Sequence, residues 1–135
     1  MADVGGVRFI LDYAHNPASM AALADFVRRI SLRYRRALGL VRIPADRRDQ
    51  DARALIAAAV PAFDILLLRE ELGFRGRKRG EMLALQRTTA IEAGLSAEHI
   101  VTRVHEHDAV GALITEARPG DLVVLTVTDI VGNRA

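Results

Sequence analysis

Apolar and polar residues follow one another along the chain in blocks that predict strands and helices in turn. Five short apolar blocks have the length of strands and end at polar, proline or glycine-containing breaks. They cover residues 7–11, 37–43, 64–68, 99–104 and 122–127. Because residues 65–68 and 122–127 are apolar rather than alternating, we expect strands buried on both faces, as in a parallel sheet.

Between these strands, apolar residues recur at spacings of three and four, the period of an amphipathic helix. Helices are predicted from Pro17 onward, over 48–60, over 81–93 with a stop at Gly94, and after an N-cap at Asp108. Their apolar faces are expected to consist of Met20, Leu23, Val27 and Ile30 in the first helix, Ala52, Leu55, Ile56 and Ala59 in the second, and Val110, Leu113, Ile114 and Ala117 in the fourth.

Strands and helices in alternation predict an α/β fold, namely a three-layer Rossmann-like domain with a mostly parallel sheet of about five or six strands flanked by helices. The chain has 135 residues, which suits one domain and is too short for two ordinary ones. Residues 1–135 are therefore expected to form a single domain. The order of the strands does not follow from the pattern.

Composition narrows the classes of function. The chain has no cysteine and no apolar stretch near the roughly 20 residues that span a bilayer. It also lacks the start of a signal peptide, so a cytoplasmic location without a membrane partner is expected. The pI of 9.6 accompanies a net charge of only +2, with six aromatic residues. The arginine-rich run 28–36 is interpreted as a solvated helix end, and no nucleic-acid partner is expected.

In open α/β sheets, ligands bind beyond the carboxyl ends of the strands. Polar clusters follow the first four predicted strands: Asp12, His15 and Asn16; Asp46, Arg47 and Arg48; Arg75, Arg77, Lys78 and Arg79; and His105, His107 and Asp108. Arginines in the third cluster suit carboxylates and phosphates. The two histidines of the fourth cluster are too few for a metal site, and no metal ligands are predicted.

The segment LDYAHNPASM (11–20) has the sharpest chemistry of these clusters. Asn16 can cap the helix that Pro17 begins, and the N–H groups of the next three residues, Ala18, Ser19 and Met20, are then expected to face the loop as a seat for a phosphate oxygen. The other interpretation is an ordinary capped strand-to-helix turn. Local physics leaves both open.

The motif DYAHNP (12–17) resembles the signature of the C-terminal domain of Mur-type amide ligases. This family includes muramyl-peptide ligases and folylpolyglutamate synthases. Three further segments are similar to motifs of the cyanophycin synthetase branch of this family: DRRDQD (46–51), RGRKRGE (75–81) and GDLVVL (120–125). The resemblance covers essentially the whole chain. It implies a Rossmann-like domain that closes over a central P-loop ATPase domain.

The resemblance also implies a reaction: ATP converts a carboxylate into an acyl phosphate, and an amine then attacks it to form an amide. In the cyanophycin synthetase branch the amine is that of arginine, added to aspartate side chains of a polymer with ATP and magnesium. Carried over, Asp12, His15 and Asn16 approach the nucleotide. Arg75, Arg77 and Arg79 approach the amino acid or polymer, while Glu70, Glu71 and Glu81 are the best partners for an arginine guanidinium. Asp46, Arg47 and Arg48 are further candidates.

Two departures qualify this expectation. After the second predicted strand, VRIPADRR (41–48) stands in place of the glycine-rich motifs that family members often have. The chain also has no P-loop motif GxxxxGK[ST]. We therefore expect a fragment that is inactive alone, with ATP and magnesium bound mainly by a central domain. The alternatives are a muramyl-peptide or folylpolyglutamate ligase domain, or a binding module for a nucleotide or acidic polymer. The acceptor, the amino acid and the oligomeric state of the parent, a homo-oligomer included, stay open.

Overall fold

The computed structural model describes residues 2–14, 16–43, 48–70, 81–103 and 106–126, and excludes from this description the side chains of Ala2, Glu70, Arg103 and 106–109. The described residues form six strands and four α-helices. The strands are β1 (Ala2–Val4), β2 (Val7–Asp12), β3 (Arg36–Ile43), β4 (Ile65–Glu70), β5 (Ile100–Arg103) and β6 (Asp121–Thr126). The helices are α1 (Pro17–Ile30), α2 (Asp49–Ala59), α3 (Glu81–Glu92) and α4 (Glu106–Glu116).

The strands form one sheet in the order β1-β2-β6-β3-β4-β5. All neighbours are parallel except β1, which pairs antiparallel with β2. The predicted Rossmann-like α/β class is therefore confirmed, with six strands. The five apolar blocks all form strands, and the two without alternation, β4 and β6, are buried on both faces over most of their described length, as predicted.

The strand β1 is an element that the apolar pattern missed. It forms a hairpin with β2 through Gly5 and Gly6, whose φ angles of 59° and 82° lie in the region that favours glycine. Two adjacent residues with positive φ match the tight turn that hairpins prefer. The pair Gly5 and Gly6 was therefore the local feature of the sequence that indicated this hairpin.

The helices cover the two faces of the sheet unequally. The side chains of α1, α2 and α3 pack in one core with Ile10, Val41 and Leu68, whereas Leu113 of α4 packs on the opposite face with Leu40 and Leu67. The predicted apolar faces of α1 and α2 are buried, except that Ile30 is only partly so. None of the described helices is long and apolar enough to cross a bilayer.

Two predictions about α4 are wrong. The helix begins at Glu106, so Asp108 lies within its first turn rather than at its N-cap. Acidic residues are favourable anywhere in a first helical turn, which is why Asp108 alone could not mark the start. Ile114 is 58% exposed, because Val110, Leu113 and Ala117 form the stripe that contacts the sheet and Ile114 lies beside it.

Candidate functional site

The turn after β2 is held by three short-range hydrogen bonds to side chains. Oδ1 of Asp12 accepts a hydrogen bond from the backbone N–H of Ala14 at 2.9 Å. Asn16 caps α1: its Oδ1 accepts from the N–H of Ser19 at 2.8 Å, and Ser19 Oγ accepts from the N–H of Asn16 at 3.2 Å. This reciprocal capping box fixes where the helix starts. Only one oxygen of the Asp12 carboxylate takes part in the turn.

The cap corrects the predicted phosphate seat. The N–H of Ser19 is used by the Asn16 side chain, and the N–H of Met20 donates to the Asn16 carbonyl oxygen at 2.9 Å. Two of the three N–H groups that were expected to face a phosphate are thus hydrogen-bonded at the start of the helix. Of the three, this leaves the N–H of Ala18 for a phosphate. A ligand here would contact the helix end at one N–H and at the polar side chains of the turn.

Replacing Asn16 separates the cap from any role in nucleotide binding. Asn16→Ala removes the acceptor for Ser19 N–H, and we expect the free energy of unfolding to fall by about 1 kcal/mol. Asn16→Asp keeps a capping oxygen, so its thermal stability should match the wild type, but its negative charge faces any incoming phosphate. Urea denaturation of both variants tests the cap. Equal stability of Asn16→Ala and the wild type would contradict it.

The other predicted site residues are only partly described. Arg48 precedes α2, is exposed, and forms an ion pair with Asp51 at 3.0 Å. Glu70 is the last residue of β4, and Glu81 is the exposed first residue of α3. The remaining predicted residues lie outside the described residues: His15, Asp46, Arg47, Glu71, Arg75, Arg77 and Arg79. Asp12, Asn16, Arg48, Glu70 and Glu81 all lie at strand ends or helix starts on the carboxyl edge of the sheet.

The topology marks one place on that edge. The helix that follows β4, α3, packs on the face of α1 and α2, whereas the helix that follows β5, α4, packs on the opposite face. The chain therefore leaves these two neighbouring strands in opposite directions. In open α/β sheets, such a switch point leaves a crevice outside the carboxyl ends of the strands, where ligands bind. Glu70 lies at this crevice.

Three arginines in register lie beside the same crevice, and the sequence reasoning missed them. Arg42 of β3 is directly opposite Arg69 of β4, and Arg69 is directly opposite Arg103 of β5. By strand alternation, Arg42 and Arg69 are on the α4 face, above Leu40 and Leu67. Each arginine is the last or next-to-last residue of its strand, and this repetition in three apolar blocks was the available indication.

A second charged cluster lies at the opposite, amino edge. The side chain of Asp121 is fully buried and accepts hydrogen bonds from the backbone N–H of Arg118 at 2.8 Å, from Nε of Arg36 at 3.0 Å and from Nε of Arg35 at 3.1 Å. Burial by itself raises the pKa of Asp121, but these hydrogen bonds outweigh it and hold the pKa below its usual value. The cluster joins the first residues of β6 and β3 and lies far from the carboxyl edge, so its role is structural.

The described part of the chain contains no metal-binding cluster. Across 2–14, 16–43, 48–70, 81–103 and 106–126, no group of three histidine, aspartate or glutamate residues is placed to hold a metal ion. The donor set that Mg²⁺ prefers, several oxygen ligands around one point, is thus not assembled by this part of the chain.

The sequence of this chain is similar to a known domain family and to several curated proteins. The family model for the Mur ligase, glutamate ligase domain, matches residues 1–127. Cyanophycin synthetase of Geminocystis herdmanii is 30% identical over 97% of this chain, and that of Trichormus variabilis is 41% identical over 62%. These alignments cover 14% and 9% of the two relatives. The chain therefore spans only a small part of the length of the curated relatives that it matches.

Solved structures share the fold. A UDP-N-acetylmuramoyl-L-alanyl-D-glutamate–2,6-diaminopimelate ligase superposes with a TM-score of 0.74 at 17% identity, over 93% of this chain and 24% of that one. A Mycobacterium tuberculosis folylpolyglutamate synthase, complexed with ADP and AMPPCP, superposes with a TM-score of 0.65 at 22% identity, over 87% of this chain and 26% of that one. At these identities the likeness concerns the fold.

Proposed function

The chain belongs to the Mur ligase family, as a member of its C-terminal glutamate ligase domain, and on this premise we propose that it is the substrate- and ATP-closing domain of an amide ligase that adds arginine to aspartate side chains of a polymer. The observation that carries the proposal is the similarity to a cyanophycin synthetase along 97% of the chain. The solved ligases of the same fold, one of them complexed with ADP, are in keeping with ATP as the second substrate.

The proposed reaction has two steps. A carboxylate oxygen of the acceptor attacks the γ-phosphorus of ATP, which releases ADP and leaves an acyl phosphate. The amine nitrogen of arginine then attacks the acyl carbon, phosphate leaves with the C–O bond electrons, and the amine loses a proton, so that an amide remains. Magnesium, when bound, neutralises charge on the phosphates. The described residues assemble no magnesium site, and in this proposal a central P-loop domain of the parent chain binds the ion.

Residues of this chain would bind and orient the two substrates. Asp12 has a carboxylate oxygen outside its turn and suits a ribose hydroxyl, while His15 and Asn16 suit the phosphate side of the nucleotide. On the other side of the edge, Glu70, Glu71 and Glu81 offer carboxylates to the guanidinium of arginine. Arg75, Arg77 and Arg79 offer forks for its carboxylate. Arg48 lies near the same edge, and Asp46 and Arg47 are further candidates that the family resemblance suggests.

The test uses the full-length parent ligase. We expect it to incorporate arginine in an ATP-dependent manner, and Glu70→Lys together with Glu71→Lys to raise KM for arginine by about tenfold or more, since each reversal puts a cation where the guanidinium binds. Glu92→Lys, at the exposed end of α3, is the matched charge reversal and should leave KM unchanged.

The outcomes separate the candidates. An unchanged arginine KM in the double reversal would remove the glutamates from the arginine site. Incorporation of glutamate or diaminopimelate in place of arginine would assign the chain to a folylpolyglutamate or muramyl-peptide ligase. A parent with no P-loop domain and no ligase activity would leave the binding module for a nucleotide or acidic polymer.

A further inference from the structure

Thr126, the last residue of β6, joins two strands through its side chain. It is 3% exposed, and its Oγ1 donates a hydrogen bond to the carbonyl oxygen of Leu40 at 2.7 Å. The register between β6 and β3 ends one residue earlier, at the pair of Leu125 and Leu40. The hydroxyl therefore attaches the end of β6 to β3 at a point where the backbone pairing of the two strands has stopped.

Thr126 is also the neighbour of Asp12, the residue proposed to contact the ribose. The two residues form the last pair of the parallel register between β2 and β6. On the other side of β2, the described part of β1 reaches only as far as Phe9, so Asp12 has a strand partner on one side alone. The position of Asp12 therefore depends on the end of β6, and the end of β6 depends on the hydrogen bond between Thr126 and Leu40.

Two contacts then determine where the Asp12 carboxylate lies. The hydrogen bond from Ala14 N–H to its Oδ1, at 2.9 Å, sets the direction of the side chain, and the pairing with Thr126 sets the place of its backbone. Hydrogen bonds weaken steeply when their geometry departs from the preferred range, so a small displacement of this strand end costs a contact with a ligand. We propose, on the basis of the proposed function, that Thr126 is a positioning residue, whose bond to Leu40 holds the second carboxylate oxygen of Asp12 where a ribose hydroxyl binds.

The experiment measures by calorimetry the affinity of the full-length parent ligase for ADP, 2′-deoxy-ADP and 3′-deoxy-ADP. The wild type should bind the analogue without the contacted hydroxyl about tenfold less tightly, since one hydrogen bond to a charged group is lost. Thr126→Val keeps the shape of the side chain without its hydroxyl, and should distinguish ADP from that analogue by less than about twofold. When Asp12→Ala is already present, Thr126→Val should not weaken ADP binding further, because it acts through Asp12.

Thr89 of α3 provides the matched control. It is 8% exposed, and its Oγ1 donates to the carbonyl oxygen of Leu85 at 2.8 Å. Thr89→Val removes the same kind of bond from an element outside the pairing of β2 with β6, and should leave all three affinities unchanged. Thr126→Ser keeps the hydroxyl and should retain the discrimination. If a thermal melt shows that Thr126→Val does not fold, Thr126→Cys replaces it with the same expectation, since a thiol is only a weak donor.

The outcomes separate this inference from the proposed function. An equal loss of affinity for all three nucleotides in Thr126→Val would indicate a general structural role and overturn the inference, as would an unchanged discrimination. A wild type that binds all three equally would remove Asp12 from the ribose and overturn the inference with it. If the parent adds an amino acid other than arginine but the nucleotide affinities follow the expected pattern, the proposed substrate fails while the role of Thr126 stands.

Discussion

Replacing Asp121 by asparagine is expected to lower the free energy of unfolding by about 3 kcal/mol at neutral pH. The change keeps the size of the side chain but removes the charge that faces the guanidinium groups of Arg35 and Arg36, at 3.1 and 3.0 Å. It also replaces one carboxylate oxygen by an NH2 group, and an NH2 group cannot accept the hydrogen bond that the backbone N–H of Arg118 donates. Because the Asp121 side chain is fully buried, water cannot replace the lost contacts.

Urea denaturation measures this loss, and an exposed pair provides the control. The ion pair between Arg29 and Asp25 has side chains 73% and 64% exposed, so Asp25→Asn should change the stability by less than about 0.5 kcal/mol. If Asp121→Asn is as mild as Asp25→Asn, the cluster at the amino edge does not hold β3 and β6 together in the way we describe.

Acid should remove the same stabilisation from the wild type. The fold holds the pKa of Asp121 below its usual value, so the ionised carboxylate stabilises the native state. This contribution is complete above the pKa of the unfolded chain, about 4, and is lost as the pH falls through the lower pKa of the folded state. The difference in melting temperature between wild type and Asp121→Asn should therefore narrow on acidification from about pH 6 to about pH 2. A constant difference would contradict the prediction.

Gly39→Ala is expected to destabilise the domain by about 2 kcal/mol, and so to lower Tm by about 7 °C. Gly39 lies in the middle of β3, which is a central strand. A Cβ at this position would lie 2.7 to 2.9 Å from three ring atoms of Phe63, closer than carbon atoms approach. Phe63 is itself buried in the core, so its ring has little room to move away.

A second glycine supplies the control, and a second substitution supplies the rescue. A Cβ on Gly111 of α4 would meet nothing within 4 Å, and Gly111→Ala should raise stability by up to about 1 kcal/mol through helix propensity. Phe63→Leu removes the ring, so the double variant with Gly39→Ala should lose less than the sum of the two single losses. Additive losses in thermal melts would mean that the ring is not the obstacle.

Most of the fold was predictable because local periodicity reports burial. The apolar blocks at β3, β4 and β6 and the three-four spacing in α1 and α2 each record, within a few residues, which side chains face the core. The start of α4 was not predictable in this way, since Glu106 and Asp108 are equally suited to a first turn. Nor was the exposure of Ile114, which depends on where the helix lies over the sheet.

The candidate site was predictable in part for the same reason. Asp12 and Asn16 are four residues apart, so a local pattern identified both and the cap between Asn16 and Ser19. The three arginines in register were not predicted, because Arg42, Arg69 and Arg103 are separated by about thirty residues each. Only the register of the strands places them side by side.

By itself, the sequence determined the class of fold, the approximate place of most helices and strands, and the resemblance to Mur ligases. All three depend on short motifs and on the local periodicity of apolar residues. The tertiary structure alone decided the strand order, and with it the crevice between β4 and β5, the contact of Gly39 with Phe63 and the burial of Asp121 against Arg36. These features arise from contacts between residues distant along the chain, and their energies depend on a shared environment that no local pattern records.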